Sequence, residues 1–257
     1  IGQNFNFFKS WGPMFQTLNI ALHSVCLPGR CHRINEPFCQ VPDAAAYVVR
    51  VMEELHENGS NEEDQSKKGW KKVPTYLYGH CLGAIIAFEV AKTFTMQLSE
   101  KDHPNKDFFI QHLVVSSSRP PQLLSDGNKD RYAKKWTMQS DTDIMNRCAQ
   151  LGGVPLLLRN KDRRDLLRLF VPVVRKDYFA YEKYDYIPMV RKSPDDRGSV
   201  DCPITSFATR DDKFVLDEEV ALWEECTDYG TNPGQHNHSY FFLVGGHSWM
   251  NIKYKEK

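Results

Sequence analysis

Five residues, Gly79-His80-Cys81-Leu82-Gly83, constrain this chain more than any other stretch. Before them, Val73-Pro74-Thr75-Tyr76-Leu77-Tyr78 is short and rich in β-formers, as a strand is. After them, Leu82-Gly83-Ala84-Ile85-Ile86-Ala87-Phe88-Glu89-Val90-Ala91-Lys92 is an apolar, alanine-rich run of helical length. The local reading is strand, tight turn, buried helix. A side chain in the middle of such a turn stands clear of the sheet, and flanking glycines remove the Cβ atoms that would strike strand and helix. The helix start turns its dipole and free N–H groups toward that side chain. For Cys81 this favours a thiolate, with the Leu82 N–H as one donor to an oxyanion.

The rest of the chain supplies a frame for this turn. Apolar strand candidates occur at residues 19–27, 111–116 and 203–208, and a further apolar strand ends at Phe241-Phe242-Leu243-Val244. Residues 43–55 have the spacing of an amphipathic helix. Strands alternating with helices predict an α/β domain with a mostly parallel central sheet. Residues 140–191 are mostly helical in period: Asp141 and Asp143 open one helix, Gly152-Gly153 close it, and residues 165–180 continue. An insertion at the strand carboxyl ends, taken as residues 122–191, is expected to form a helical lid with little to bind it to the sheet. The polar stretch 57–72 reads as a solvated loop.

Composition bounds the remaining possibilities. A chain of 257 residues suits one large domain spanning 1–257. Thirty-three Lys+Arg balance 33 Asp+Glu, so no basic surface points to nucleic acid, and no apolar run reaches the ~20 residues that cross a bilayer. Seven cysteines without a C-x-x-C pair fit a reduced, cytoplasmic setting. No cofactor is expected. His236 and His238 lack a third ligand at suitable spacing, so no metal is expected either.

Hydrolases built on strand, elbow and helix place G-x-S-x-G where this chain has G-x-C-x-G, with an acid and then a histidine following in chain order. Both follow here. Asp211-Asp212 comes just after the strand candidate 203–208, and His247 comes after Gly245-Gly246 near the chain's end. A histidine after two glycines can swing its ring to the nucleophile, and an aspartate beyond the preceding strand can hold that ring by its second nitrogen. His80 has no acid partner nearby and reads as a packed or hydrogen-bonded structural residue. Tyr178, Tyr181, Tyr184 and Tyr186, at helical spacing, read as core and lid packing.

Along nearly its whole length the chain resembles the type II thioesterases of the α/β-hydrolase superfamily, which serve polyketide and nonribosomal-peptide synthases and, in animals, fatty acid synthase. The resemblance rests on Leu27-Pro28-Gly29-Arg30 with Glu36-Pro37, on Tyr78-Gly79-His80-Cys81-Leu82-Gly83-Ala84, and on His112-Leu113-Val114-Val115-Ser116 before Arg119. It continues through Gln150-Leu151-Gly152-Gly153-Val154-Pro155, the tyrosine-rich run that begins at Arg175, Cys202-Pro203-Ile204-Thr205, Trp223 and Gly245-Gly246-His247. It implies an α/β-hydrolase fold, with Cys81 as nucleophile, His247 as general base and Asp212 orienting the base. Asp212 is preferred to the runner-up Asp211 because Val215 completes the family's Asp-x-x-Val. The family's other oxyanion donor aligns with Ile1.

The resemblance implies an acyl-phosphopantetheine substrate, borne on a carrier protein or coenzyme A, a covalent acyl-enzyme on Cys81, and a monomeric enzyme without a membrane partner. Acyl transfer at the same site and a non-catalytic module that binds carrier protein are the competing readings. The sequence departs from the family pattern in four places: Cys stands for Ser, the chain starts inside the oxyanion loop, it ends short of the family's last helix, and 57–72 and 227–239 are long. The expectation is a chain trimmed at both ends.

Overall fold

The computed structural model of the chain describes residues 8, 10–59, 74–98, 109–124, 138–150, 164–189, 199–229 and 238–246. The strands are β1 (Pro74–His80), β2 (Phe109–Ser116), β3 (Ile204–Thr209) and β4 (His238–Leu243). The helices are α1 (Gly12–Thr17), α2 (Val41–Gly59), α3 (Leu82–Leu98), α4 (Asp141–Gln150), α5 (Arg164–Lys183) and α6 (Asp217–Ala221). The strands lie side by side in chain order, and every pair is parallel. Parallel neighbours cannot be joined by hairpins, so each connection crosses over and all strand carboxyl ends share one edge.

The core forms where the sequence is most apolar. Ala84, Ile85, Phe88, Val90 and Ala91 of α3 are all buried, against Leu113 and Val115 of β2, Ile204 of β3 and Val41, Ala44 and Ala45 of α2. A helix apolar on nearly every side has to be covered on nearly every side, and this one lies between sheet and α2. At roughly 1.5–3 kcal/mol for each large side chain fully buried, this contact dominates the stability of the domain.

One expected element is absent. Residues 19–27 adopt no strand, and Ile20, Leu22 and Val25 are exposed. β-Propensity becomes a strand only where a ladder partner exists. Here peptide groups of the segment are satisfied locally: Ile20 N–H donates to the Phe15 carbonyl at 3.0 Å, and the Cys26 carbonyl accepts Arg33 Nη1 at 2.8 Å.

The described part of the 122–191 insertion contains α4 and α5. Ser140 caps α4: its Oγ accepts the Asp143 N–H at 3.2 Å and donates to Asp143 Oδ2 at 2.6 Å, the capping arrangement its acidic first turn suggests. The closing glycines 152 and 153 lie outside the described residues. Contrary to expectation, the carboxyl half of α5 and the segment that follows it are firmly attached. Asp177, fully buried, pairs with Arg30 and accepts its Nη1 at 3.0 Å. Tyr184 Oη donates to Glu89 of α3 at 2.5 Å, and Lys92 Nζ donates to the Ile187 carbonyl at 2.6 Å. Burial, and after it Glu89, push the Tyr184 phenol well above its ordinary range, so it stays a donor.

A second set of bonds ties the segment after β2 to the segment after β3. Arg119 Nε donates to Glu219 Oε1 at 2.9 Å with both residues buried, and Glu219 Oε2 accepts the Leu216 N–H at 3.0 Å. Trp223, fully buried, donates its indole N–H to the Ser118 carbonyl at 3.0 Å. Removing one partner of a buried pair strands the other charge. Arg119→Met should therefore lower the unfolding free energy by about 3 kcal/mol or more in denaturant titration, whereas Arg119→Met with Glu219→Leu should regain most of that loss.

Candidate active site

The turn between β1 and α3 has the strained shape that its sequence suggests. Cys81 sits at φ +54°, in the left-handed region, at a cost on the order of 1–3 kcal/mol for a residue with a side chain. Two backbone bonds hold it: its N–H donates to the Ser116 carbonyl at 2.9 Å, and its own carbonyl accepts the Ala84 N–H at 2.9 Å. Cys81 is fully buried. Leu82 is the first residue of α3, where a backbone N–H has no partner within the helix.

The two flanking glycines are not equivalent. A Cβ on Gly79 would overlap the Gly83 carbonyl oxygen and fall 2.5 Å from Ala84 Cα, so β1 and α3 cross too closely for any other residue. A Cβ on Gly83 would meet nothing within 4 Å. The expectation that both glycines prevent a collision holds for Gly79 alone.

Asp212 and Asp211 part company beyond β3. Asp212 is 6% exposed, and its Oδ1 accepts the Phe214 N–H at 2.8 Å and the Val215 N–H at 3.2 Å, while Asp211 is exposed. Phe214 and Val215 are themselves buried beneath Ile144 and Cys148 of α4 and Val174 and Tyr178 of α5. The inserted helices thus roof the Asp212 turn. His247 and Ile1 lie outside the described residues, but β4 runs to Leu243, and Gly245 after it takes φ +127°.

The neighbouring polar groups have assigned partners. His80 Nδ1 lies 2.8 Å from Ser116 Oγ, which is also 2.8 Å from Tyr78 Oη. His238 is half-buried in β4, where its Nε2 bonds Ser206 Oγ at 2.9 Å and burial lowers its pKa. His236 lies outside the described residues, and no cluster among the described residues could hold a metal ion. Tyr178, Tyr181 and Tyr184 pack within the two core clusters.

Sequence reasoning missed Cys148. It packs with Tyr178, Phe214 and Val215, and burial above all pushes its thiol up to about 11, so it stays protonated beneath the inserted helices. Nothing in its helical spacing distinguishes it from an ordinary core position.

The family model described as Thioesterase domain matches residues 65–245. The chain is similar to the thioesterase PikA5 of Streptomyces venezuelae, at 28% identity over 98% of this chain and 72% of that protein. It is also similar to the gramicidin S biosynthesis protein GrsT of Aneurinibacillus migulanus, at 24% identity over 92% of this chain and 77% of that protein. Among solved structures, RedJ, a thioesterase of the prodiginine biosynthetic pathway in Streptomyces coelicolor, superposes with a TM-score of 0.73 at 26% identity, covering 98% of this chain and 77% of that one.

The asymmetry of the glycines is testable without any substrate. Gly79→Ala should cost about 3 kcal/mol in denaturant unfolding, as overpacking of rigid backbone does. Gly83→Ala, in open space on a helix, should leave stability unchanged or raise it by up to about 1 kcal/mol.

Proposed function

Since the chain belongs to the thioesterase-domain family and has its α/β-hydrolase fold, we propose that it hydrolyses acyl thioesters of phosphopantetheine through a covalent acyl-enzyme on Cys81. Relatives named as thioesterases of natural-product pathways support a carrier-protein-borne acyl group, with acyl-coenzyme A as an alternative donor of the same chemistry. The observation that carries the reading is Cys81 itself, held in a left-handed turn at the head of α3 by bonds to Ser116 and Ala84.

The sheet register supports the other two roles. Thr209 of β3 pairs with Leu243 of β4. Asp212 lies three residues beyond Thr209 (212 minus 209), and His247 lies four beyond Leu243 (247 minus 243). Adjacent strands are about 4.8 Å apart, so the segments that lead to these two residues leave the same edge of the sheet side by side. In this reading Asp212 Oδ1 is committed to its own turn, and Oδ2 takes one ring N–H of His247. The other ring nitrogen withdraws the Cys81 proton. The thiolate attacks the thioester carbonyl. The Leu82 N–H and an N–H near Ile1 receive the oxyanion, and the pantetheine thiol departs with the proton held by His247. His247 then takes a proton from water, which attacks the acyl-enzyme. The acid is released and Cys81 is restored. The 122–191 insertion acts as the lid, since α4 and α5 already cover the Asp212 turn.

Acyl transfer is a second reading favoured by one observation, the sulfur at position 81. Attack by Cys on a thioester yields another thioester, as reactive toward amines and alcohols as the substrate was. Acylation is then nearly balanced in free energy, and deacylation by water gains no extra activation.

Rapid mixing with an acyl-thioester should therefore show a burst of thiol equal to the enzyme, then slow release of acid, and Cys81→Ser should speed the slow phase. If Cys81→Ser slowed it, the transferase reading would prevail. Absence of both adduct and free acid would point to a binding module. Asp212→Asn keeps an oxygen for the Phe214 and Val215 N–H groups, so it should spare stability while lowering kcat/KM by ~100-fold or more. Asp211→Asn, on an exposed carboxylate, should change it by less than about twofold. The reverse ranking would move the orienting role to Asp211.

A further inference from the structure

Cys26 and Cys31 form a thiol pair outside the catalytic site. Both are free and half-buried, and they flank the Pro28-Gly29-Arg30 turn. The turn is tightly folded. Gly29 is at φ +76° and Cys31 at φ +48°, the Gly29 N–H donates to the Arg33 carbonyl at 2.9 Å, and Arg33 Nη1 donates to the Cys26 carbonyl at 2.8 Å. These bonds bring the two ends of the turn together. Cys26 Sγ lies 3.8 Å from the Arg30 carbonyl, at the peptide bond that leads into Cys31.

We propose that Cys26 and Cys31 are a reversible dithiol/disulfide site, oxidised by a low-molecular-weight disulfide such as oxidised glutathione. The electrons balance in two exchanges. One thiolate of the pair attacks a sulfur of the glutathione disulfide, forming a mixed disulfide and releasing one glutathione thiolate, which takes up the proton lost by the protein. The second protein thiolate attacks the protein sulfur of that mixed disulfide and releases the second glutathione. The protein loses two hydrogens, and two glutathione thiols form.

The other cysteines are placed differently. Cys81, Cys148, Cys202 and Cys226 are buried, and burial pushes the thiols of Cys148 and Cys202 up to about 11 and about 12 and that of Cys226 higher still. The charged neighbours of half-buried Cys39 are Arg30, Asp43 and Arg33. Near Cys26, the guanidinium groups of Arg33 and Arg30 favour the thiolate, although burial and Cys31 outweigh them.

The ring would enclose Arg30, whose guanidinium pairs with buried Asp177 of α5. Oxidation would therefore fix the backbone of the residue that fastens this helix. The proposal does not depend on Cys81 carrying an acyl group.

Trypsin provides a direct test, because it cuts after Arg30, between the two cysteines. The native chain is incubated with graded oxidised glutathione, quenched in acid, denatured, alkylated and digested. The expected product joins peptides 10–30 and 31–33 at their summed mass less two hydrogens, separates on reduction, and exceeds any other cysteine pairing about tenfold. Cys31→Ser should halt Cys26 at the mixed disulfide with glutathione. The proposal fails if the native chain also stops there, or if Cys26 or Cys31 is joined mainly to Cys39. Oxidation of Cys81 is read on peptide 73–92, so the outcome does not rest on activity.

Discussion

The closeness with which β1 passes into α3 is the constraint on which the site depends. No Cβ fits at position 79, because the Gly83 carbonyl and Ala84 Cα occupy its place. That crossing leaves Cys81 at φ +54°, where its N–H reaches the end of β2 at Ser116 and its carbonyl starts the first turn of α3. A strained turn persists only when its surroundings over-determine it. Here they do so through the burial of α3, whose apolar residues lie between the sheet and α2. The core thus fixes the direction in which the chain leaves the sheet at Cys81.

The second carboxyl end is fixed by different means. Asp212 closes its own turn through the Phe214 and Val215 N–H groups, and those residues are covered by α4 and α5. Just beyond, Glu219 takes the Leu216 N–H and the Arg119 guanidinium together, so the segments that follow β2 and β3 are joined through one buried carboxylate. Trp223 closes the same joint through Ser118. The insertion therefore does two things. Its described helices cover the Asp212 turn, and they also brace it through Phe214 and Val215.

Legibility followed physical scale. Strand, elbow and buried helix were readable because local chemistry dictates each: β-formers, a glycine with no room for a side chain, then an unbroken apolar run. β2 and β3 were readable for the same reason, within two residues at their ends. Residues 19–27 were misread, since β-propensity says nothing about whether a partner strand is present. The two glycines of the motif look alike in sequence, yet Gly79 meets backbone while Gly83 meets open space. Cys148 gave no signal at all, because its place against Tyr178 and Phe214 arises only when α4 packs on α5 and the turn after β3.

By itself the sequence determined the chemical types and their order along the chain: a cysteine in an elbow, an aspartate pair after a strand, a histidine after two glycines, and family motifs spaced between them. These depend on identity and short-range spacing, which a linear string records. Tertiary structure alone decided that Asp212 is buried while Asp211 faces water, that Arg30 reaches Asp177 across 147 residues, and that Arg119 reaches Glu219 across 100. Such pairings arise only when separate elements pack, because burial and ion pairing depend on distance in space, and distance in sequence does not specify it.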